Sequence, residues 1–434
     1  MAGADRISAL PVEVIISILS HLSVKDAIRT SALARSWRHH WTLLPCLRLG
    51  RRLDRLGETS MALPAASTWI ERVHHVVSSL QGPLFVFELV HRFYAYQSSL
   101  LQSLLDLLLQ KGVLHTLVLT NYNEQVLLHL PSFHSLKRFH LYGCHVVLPA
   151  DFSGFKGLTT LTLENVKISN DDLHFLIHTS NDLTTLMLDV ASSGRNPLSV
   201  TLSLPLVRHL IFRLNKSVKN ASVTSAPCLE QAQIIITKPA AKSLRKVTWV
   251  TLGLLTSVTR VSSLNLDWNV LESLPLVALP FNLTFSRLRC LKLCLHIPPM
   301  KKQIFDAFIW LLCTMPYLEE LDLKLISYSL PSNKVATLMR ESLVKKQDGL
   351  SCLDQTLKSV TISMNTFNIV MACITVVKFF LLNAKVLKLM EIQCCMHPDA
   401  QQSMIEELQE AKVTSLYAKV VIFNLKDNVT VNVK

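Results

Sequence analysis

Leu136-Lys137-Arg138-Phe139-His140-Leu141-Tyr142-Gly143-Cys144 sets out the pattern that decides the fold. Apolar residues occupy its first, fourth and sixth places, with polar ones between. The alternation at the end of the hexad is the period of a strand with one buried face. The same apolar-x-x-apolar-x-apolar spacing returns at Leu114/Leu117/Leu119, Leu158/Leu161/Leu163, Leu183/Leu186/Leu188, Val207/Leu210/Phe212 and Leu229/Ala232/Ile234. It continues at Val261/Leu264/Leu266, Leu288/Leu291/Leu293, Leu318/Leu321/Leu323, Leu357/Val360/Ile362 and Ala384/Leu387/Leu389. Successive starts are 22, 22, 25, 24 and 22 residues apart, then 32, 27, 30, 39 and 27.

The first five spacings lie inside the window of about 20–29 residues used by leucine-rich repeats. There each unit supplies one short strand, and stacked neighbours bury a continuous core. The unit at 136 fits best, with Cys144 where such repeats carry Asn or Cys. Other units have Tyr122, Val166 or Ala191 there, so the asparagine ladder is expected to be largely missing. Pro331–Lys334 and Lys345–Gly349 read as a loop-plus-helix insertion inside the 39-residue step. Before the first unit, Arg51, Arg52 and Arg55 read as a linker. Leu84–Leu89 reads as an early strand, and Leu101, Leu104, Leu105 and Leu108 as one helix face, together an N-terminal cap.

Residues 5–41 have a different character. Asp5-Arg6-Ile7-Ser8-Ala9-Leu10-Pro11 opens a helix in which Ile15, Ile18, Leu19 and Leu22 share a face. Ser23-Val24-Lys25-Asp26 is a capping pattern for a second helix, followed by Trp37-Arg38 and Trp41. About 40 such residues bury too little surface to stand alone. The stretch resembles the F-box in its plant form, although Val12 follows the proline where family members usually carry an acidic residue. The resemblance implies that Leu10, Pro11, Ile15, Ile18, Leu19 and Leu22 lie at or near the contact with a Skp-type adaptor, and through it a cullin. Trp37 and Trp41 would pack inside the module or against the next domain. The segment Val376–Ile392, within residues 352–425, resembles the FBD domain of plant F-box proteins. A helix is expected at Met404–Gln409 and a strand at Lys419–Phe423.

The expected fold is α/β: a helical F-box, then an irregular leucine-rich-repeat solenoid, or horseshoe, with an FBD-like C-terminal part. The expected divisions are residues 1–48 (F-box), 49–113 (linker and cap), 114–351 (repeats) and 352–434 (FBD-like region continuing the solenoid).

Composition narrows the function classes. Half of the 434 residues are apolar, mean hydropathy is +0.33 and formal net charge is +13. Eleven glycines and the absence of any phosphate-loop or dinucleotide motif argue against nucleotide binding, so no cofactor is expected. The ten cysteines include no Cys-x-x-Cys pair. Cys290 and Cys294, and Cys394-Cys395 with His397, do not make a zinc set, so no metal is expected. No basic stretch leads into an apolar one near the start, and the longest apolar run, Ile369–Val377, is far short of about 20 residues. A soluble protein of the cytoplasm or nucleus, without membrane contact, is expected.

The polar places of each strand would face a ligand. The candidates are Arg138, His140, Tyr142, Glu164, Asp189, Arg213, Asp267, Lys292 and Asp322. That mixed stripe suits a protein target. It does not cluster Arg and Lys as a small-molecule receptor holding an inositol phosphate would require. The expected function is therefore a non-catalytic substrate receptor of a Skp–cullin–F-box ubiquitin ligase. The alternative is a basic repeat scaffold that binds nucleic acid or protein without ligase assembly. Against nucleic acid, the basic residues are spread along the chain rather than gathered in one patch.

Overall fold

The computed structural model describes residues 7–50, 63–123, 126–237, 244–274, 283–296, 302–326, 350–364, 370–394, 398–411, 413–415, 417–424 and 428–431. Asp5, Arg6, Arg51, Arg52, Arg55, the expected insertion at 331–349, Ile369, Cys395 and His397 lie outside them. The chain divides into two units, residues 1–207 and 208–434.

The first unit opens with helices α1 (Val12–Ser20) and α2 (Val24–Arg29). Pro11 stands just ahead of α1, where its missing N–H is not needed. Ser23 caps α2: its Oγ accepts from Asp26 N–H at 3.1 Å and donates to Asp26 Oδ2 at 2.6 Å. Trp37 is buried and donates from Nε1 to Ser8 Oγ at 2.9 Å, tying the opening of the module to its end.

Strand β1 (Cys46–Gly50) then begins a parallel ladder. After helix α3 (Leu63–Ser79) comes β2 (Val86–His91), then helix α4 (Ser98–Gln110) and β3 (Thr116–Asn121). The chain continues through β4 (Val126–His129), β5 (Arg138–Tyr142), β6 (Cys144–Val147) and β7 (Thr160–Ile168). Helix α5 (Asn170–His178), β8 (Thr185–Ser192) and β9 (Leu198–Ser203) complete the unit. The main ladder runs β1-β2-β3-β5-β7-β8, all parallel, and β4 and β6 pair beside it.

Two strands of this ladder precede the expected first repeat. Leu44/Leu47/Leu49 and Leu84/Phe87/Leu89 carry the same hexad, and Phe87 sits opposite both Leu47 and Leu117. The parallel ladder therefore begins inside the stretch assigned to the F-box, and the strand and helix expected of an N-terminal cap lead into the same ladder. Leu101, Leu104, Leu105 and Leu108 form the buried face of α4, as expected.

The second unit contains β10 (His209–Leu214), β11 (Val218–Ser225), β12 (Gln231–Ile236), helix α6 (Leu244–Ser257), β13 (Ser263–Asp267) and helix α7 (Trp268–Ser273). It proceeds through β14 (Cys290–His296), α8 (Lys302–Cys313), β15 (Glu320–Ile326), α9 (Ser351–Gln355) and β16 (Ser359–Met364). It ends with α10 (Val370–Asn383), β17 (Leu389–Cys394), α11 (Pro398–Gln409), β18 (Lys419–Asn424) and β19 (Asn428–Val431). The parallel ladder is β10-β12-β13-β14-β15-β16-β17-β18, and β19 closes it antiparallel to β18.

The length of each step decides how the chain returns. Steps of 22–24 residues come back through a second strand, β4, β6, β9 or β11, whereas every step of 25 or more contains a helix. A strand advances about 3.3 Å per residue and a helix 1.5 Å, so a helical return of similar span needs more residues.

Ten of the eleven expected hexads lie in register with their neighbours: Leu117 pairs with Phe139, Phe139 with Leu161, Leu264 with Leu291 and Leu321 with Val360. The eleventh is corrected by three residues. Val360 and Ile362 pair with Met390 and Ile392, so the unit is Leu387/Met390/Ile392. Ala384 is instead buried one residue beyond the end of α10, and Leu389 points outward, half-buried. The apolar run before it is the interior helix α10, with Cys373, Val377, Phe380 and Leu381 among its buried residues. No helix among the described residues is long and apolar enough to cross a membrane.

Two asparagines join neighbouring units, which the expected pattern lacked. Asn121, one place before Tyr122, is buried; its Oδ1 accepts from Phe93 N–H at 2.8 Å and Asn123 N–H at 3.1 Å, and its Nδ2 donates to Gly143 O at 3.3 Å. Asn269 stands at the ninth place of the Val261 unit and donates from Nδ2 to Ile236 O at 2.7 Å and Asp267 Oδ2 at 3.0 Å. Asn269→Ala leaves a buried carbonyl without its partner and should cost about 1–3 kcal/mol. The urea midpoint of the chain reads that loss; an unchanged midpoint would show that water replaces the amide.

Candidate functional site

Two surfaces are candidates: the outer side of the N-terminal module, and the open face of each sheet. In the module, helix α1 divides its apolar residues. Ile15 and Leu19 are 2% and 0% exposed, whereas Val14, Ile18 and Leu22 are 41%, 42% and 43% exposed. This corrects the expected contact set. Ile15 and Leu19 are held inside the chain and cannot touch a partner directly; Ile18, Leu22 and Pro11 are exposed, and Leu10 is half-buried. Ile7, Val12 and Leu33 add exposed apolar surface that the helical spacing did not single out. Trp37 packs inward as expected, and Trp41 is half-buried. A cleft of about 810 Å³ lies between the turn Ser20–Val24 and Arg48, Gly50, Glu88, Val90 and Tyr122.

The open faces follow from strand alternation. On β5 the burial runs exposed, buried, half-buried, buried, half-buried, so Phe139 and Leu141 enter the core while Arg138, His140 and Tyr142 face outward. In the first unit Tyr142, Glu164 and Asp189 form one cross-strand row. His140 Nε2 lies 3.5 Å from Glu164 Oε1. Burial pushes the His140 pKa down and Glu164 opposes that shift. The rings of Tyr122 and Tyr142 are 5.4 Å apart. In the second unit Lys292 and Asp322 face outward opposite one another, and Arg213 is half-buried on β10.

Asp267 is corrected from recognition residue to structural joint. Its carboxylate accepts from Ile236 N–H at 3.2 Å and Val270 N–H at 3.3 Å and from Asn269 Nδ2 at 3.0 Å, which caps α7 and ties β12 to β13. Burial pushes its pKa up to about 6, against these hydrogen bonds. A carboxyl whose folded pKa exceeds its unfolded value stabilises the fold below the unfolded pKa and loses that contribution as pH rises through the folded one. Asp267 by itself should therefore add about 2–3 kcal/mol of stability between pH 7.5 and about pH 4. His140 works in the opposite sense, losing stability as pH falls through its unfolded pKa, so Asp267→Asn serves as the reference. On going from pH 7.5 to pH 5 the urea midpoint of the parent should rise relative to that of the variant; the same shift in both would refute the assignment.

Exposed cations at the strand starts are partly paired. Arg289 Nη1 and Lys358 Nζ lie 2.9 Å and 2.6 Å from the two oxygens of Glu319, and Arg208 lies 3.4 Å from Glu230. Such exposed pairs contribute about 0–1 kcal/mol each. Among the described residues no group of His, Cys, Asp and Glu could hold a metal ion.

The F-box domain family matches residues 7–49. The repeats described as those of FBD-associated F-box protein At5g56370 match residues 101–251. Over 417 residues, 88% of this chain and 87% of the relative, it is 24% identical to F-box/FBD/LRR-repeat protein At5g53840 of Arabidopsis thaliana. The chain is a plant F-box/FBD/leucine-rich-repeat protein.

Two further Arabidopsis relatives align over parts of this F-box protein. F-box/FBD/LRR-repeat protein At1g13570 is 29% identical over 175 residues, 40% of this chain and 41% of its own length. F-box protein At1g60400 is 50% identical over 48 residues, 11% of this chain and 12% of its own length. The F-box match includes α1, α2 and most of β1, so the first strand of the repeat ladder lies inside the stretch that the family shares.

Proposed function

We propose that this chain is the target-recognition subunit of a Skp–cullin–F-box ubiquitin ligase. The observation that carries the reading is the division of helix α1: Ile15 and Leu19 anchor it inward, while Val14, Ile18 and Leu22 remain exposed on the family-matched module. Exposed apolar clusters of this kind mark protein contacts. A Skp-type adaptor would cover it and link the chain to a cullin. The open sheet faces would hold a target protein, so that ubiquitin transfer by other subunits gains from raised effective concentration. The chain itself would supply binding and no catalytic group. None of the nine described cysteines lies in a disulfide, in keeping with a reducing compartment such as the cytoplasm or nucleus.

Co-purification with a plant Skp-type adaptor tests this. The parent chain should form a stoichiometric complex, and an Ile18→Asp/Leu22→Asp variant should form none while keeping its urea midpoint. Failure of the parent to bind would overturn the ligase reading.

A further inference from the structure

We propose that a groove on the open face of the first unit takes the carboxylate of an aspartate or glutamate in a bound protein segment, with Arg138 as its anchor. The inference rests on the target-recognition reading and adds the chemistry of the target. The groove, about 370 Å³, crosses strands β1, β2, β3, β5 and β7. Arg138 stands at its N-terminal row, directly between Thr116 and Thr160 in register. His140 and Thr162 occupy the next row of the same groove.

The groups there are short of acceptors. The other arginine in the groove, Arg48, donates from Nε to Glu88 Oε1 at 3.1 Å. The Arg138 guanidinium has no hydrogen-bond or ion-pair partner among the described residues, nor do the hydroxyls of Thr116, Thr160 and Thr162. His140 Nε2 is buried without a hydrogen bond, since its 3.5 Å approach to Glu164 does not make one. A guanidinium only donates, hydroxyls can donate, and a carboxylate only accepts. Arginine meets a carboxylate through two parallel N–H bonds, and threonine hydroxyls on either side can complete the remaining lone pairs.

The surrounding charge selects among anions. Among the residues that line the groove, Arg48 is paired with Glu88, so one cation, Arg138, is left over rather than a basic cluster. A single carboxylate balances that excess, whereas a phosphate dianion or a nucleic-acid backbone brings more charge than Arg138 offsets.

The test uses the 434-residue chain and a displayed library of random 12-residue peptides. The parent chain should enrich peptides with Asp or Glu at one position. Affinity for a selected peptide should fall about tenfold to a hundredfold in Arg138→Gln. It should fall similarly when the peptide's Glu is changed to Gln, and the two changes together should cost little more than either. Arg138→Lys should restore part of the affinity, and Lys385→Gln, on the second unit, should have no effect. The proposal is overturned if no peptide is retained, if no acidic residue is enriched, if Arg138→Gln binds as the parent does, or if only phosphoserine versions bind. Adaptor capture through the F-box is measured in parallel. Those four outcomes with capture intact defeat this inference alone, whereas lost capture defeats the ligase reading.

Discussion

Gly143→Ala should destabilise the chain by about 3–5 kcal/mol. Gly143 follows β5 with φ +72°, and a Cβ built there would lie 2.0 Å from the carbonyl oxygen of Asn121. That oxygen is backbone and cannot rotate away as a side chain would. The close approach exists because Asn121 Nδ2 donates to Gly143 O, drawing neighbouring units together. Gly112 provides the comparison: its φ is +73°, but nothing lies within 4 Å of its virtual Cβ. Gly112→Ala should therefore show only the conformational cost, about 1 kcal/mol. Urea midpoints of the two variants separate the terms. Equal losses would mean that the β5–β6 turn can move aside, and the joint at Asn121 would then be softer than its geometry implies.

A second large effect is expected on helix α1, where adjacent residues should fail in different assays. Leu19 is fully buried, and Leu19→Ala should cost about 2–5 kcal/mol through lost burial and the cavity left behind. Ile18 is 42% exposed, and Ile18→Ala should change stability by no more than about 0.5 kcal/mol. If the adaptor covers Ile18, truncating it should still weaken capture at least tenfold, as central interface residues do. Chemical denaturation and adaptor capture on both variants resolve the two roles. A stable Leu19→Ala chain, or an Ile18→Ala chain with undiminished capture, would reverse the assignment of inward and outward faces.

The strands were legible because a buried sheet face imposes period two, and one slipped residue would turn every leucine outward. What failed was finer. Leu44/Leu47/Leu49 carries the same hexad but stands beside the tryptophan-rich close of the F-box, so its place in the ladder shows only in the pairing of Leu47 with Phe87. Ala384/Leu387/Leu389 satisfied the template as well as Leu387/Met390/Ile392; only the end of α10 and the pairing with β16 distinguish them. Helical spacing put Ile15, Ile18, Leu19 and Leu22 on one broad stripe, but periodicity does not state where a stripe stops being covered. Of the candidate site, alternation correctly placed Arg138, His140 and Tyr142 outward. It could not show that Asp267, equally polar and equally placed, would be drawn into capping α7.

The constant register across unequal steps bears on how such a chain can change over generations. Insertions and deletions alter a return segment, strand or helix, while the rungs stay paired as before. Each rung presents its own few outward residues, with rungs about 4.8 Å apart. Drift in one rung leaves the neighbours' pairing intact, and duplication of a unit would add a rung without rewriting the others. If the open face holds the target, its preference can be revised rung by rung without altering the F-box helices.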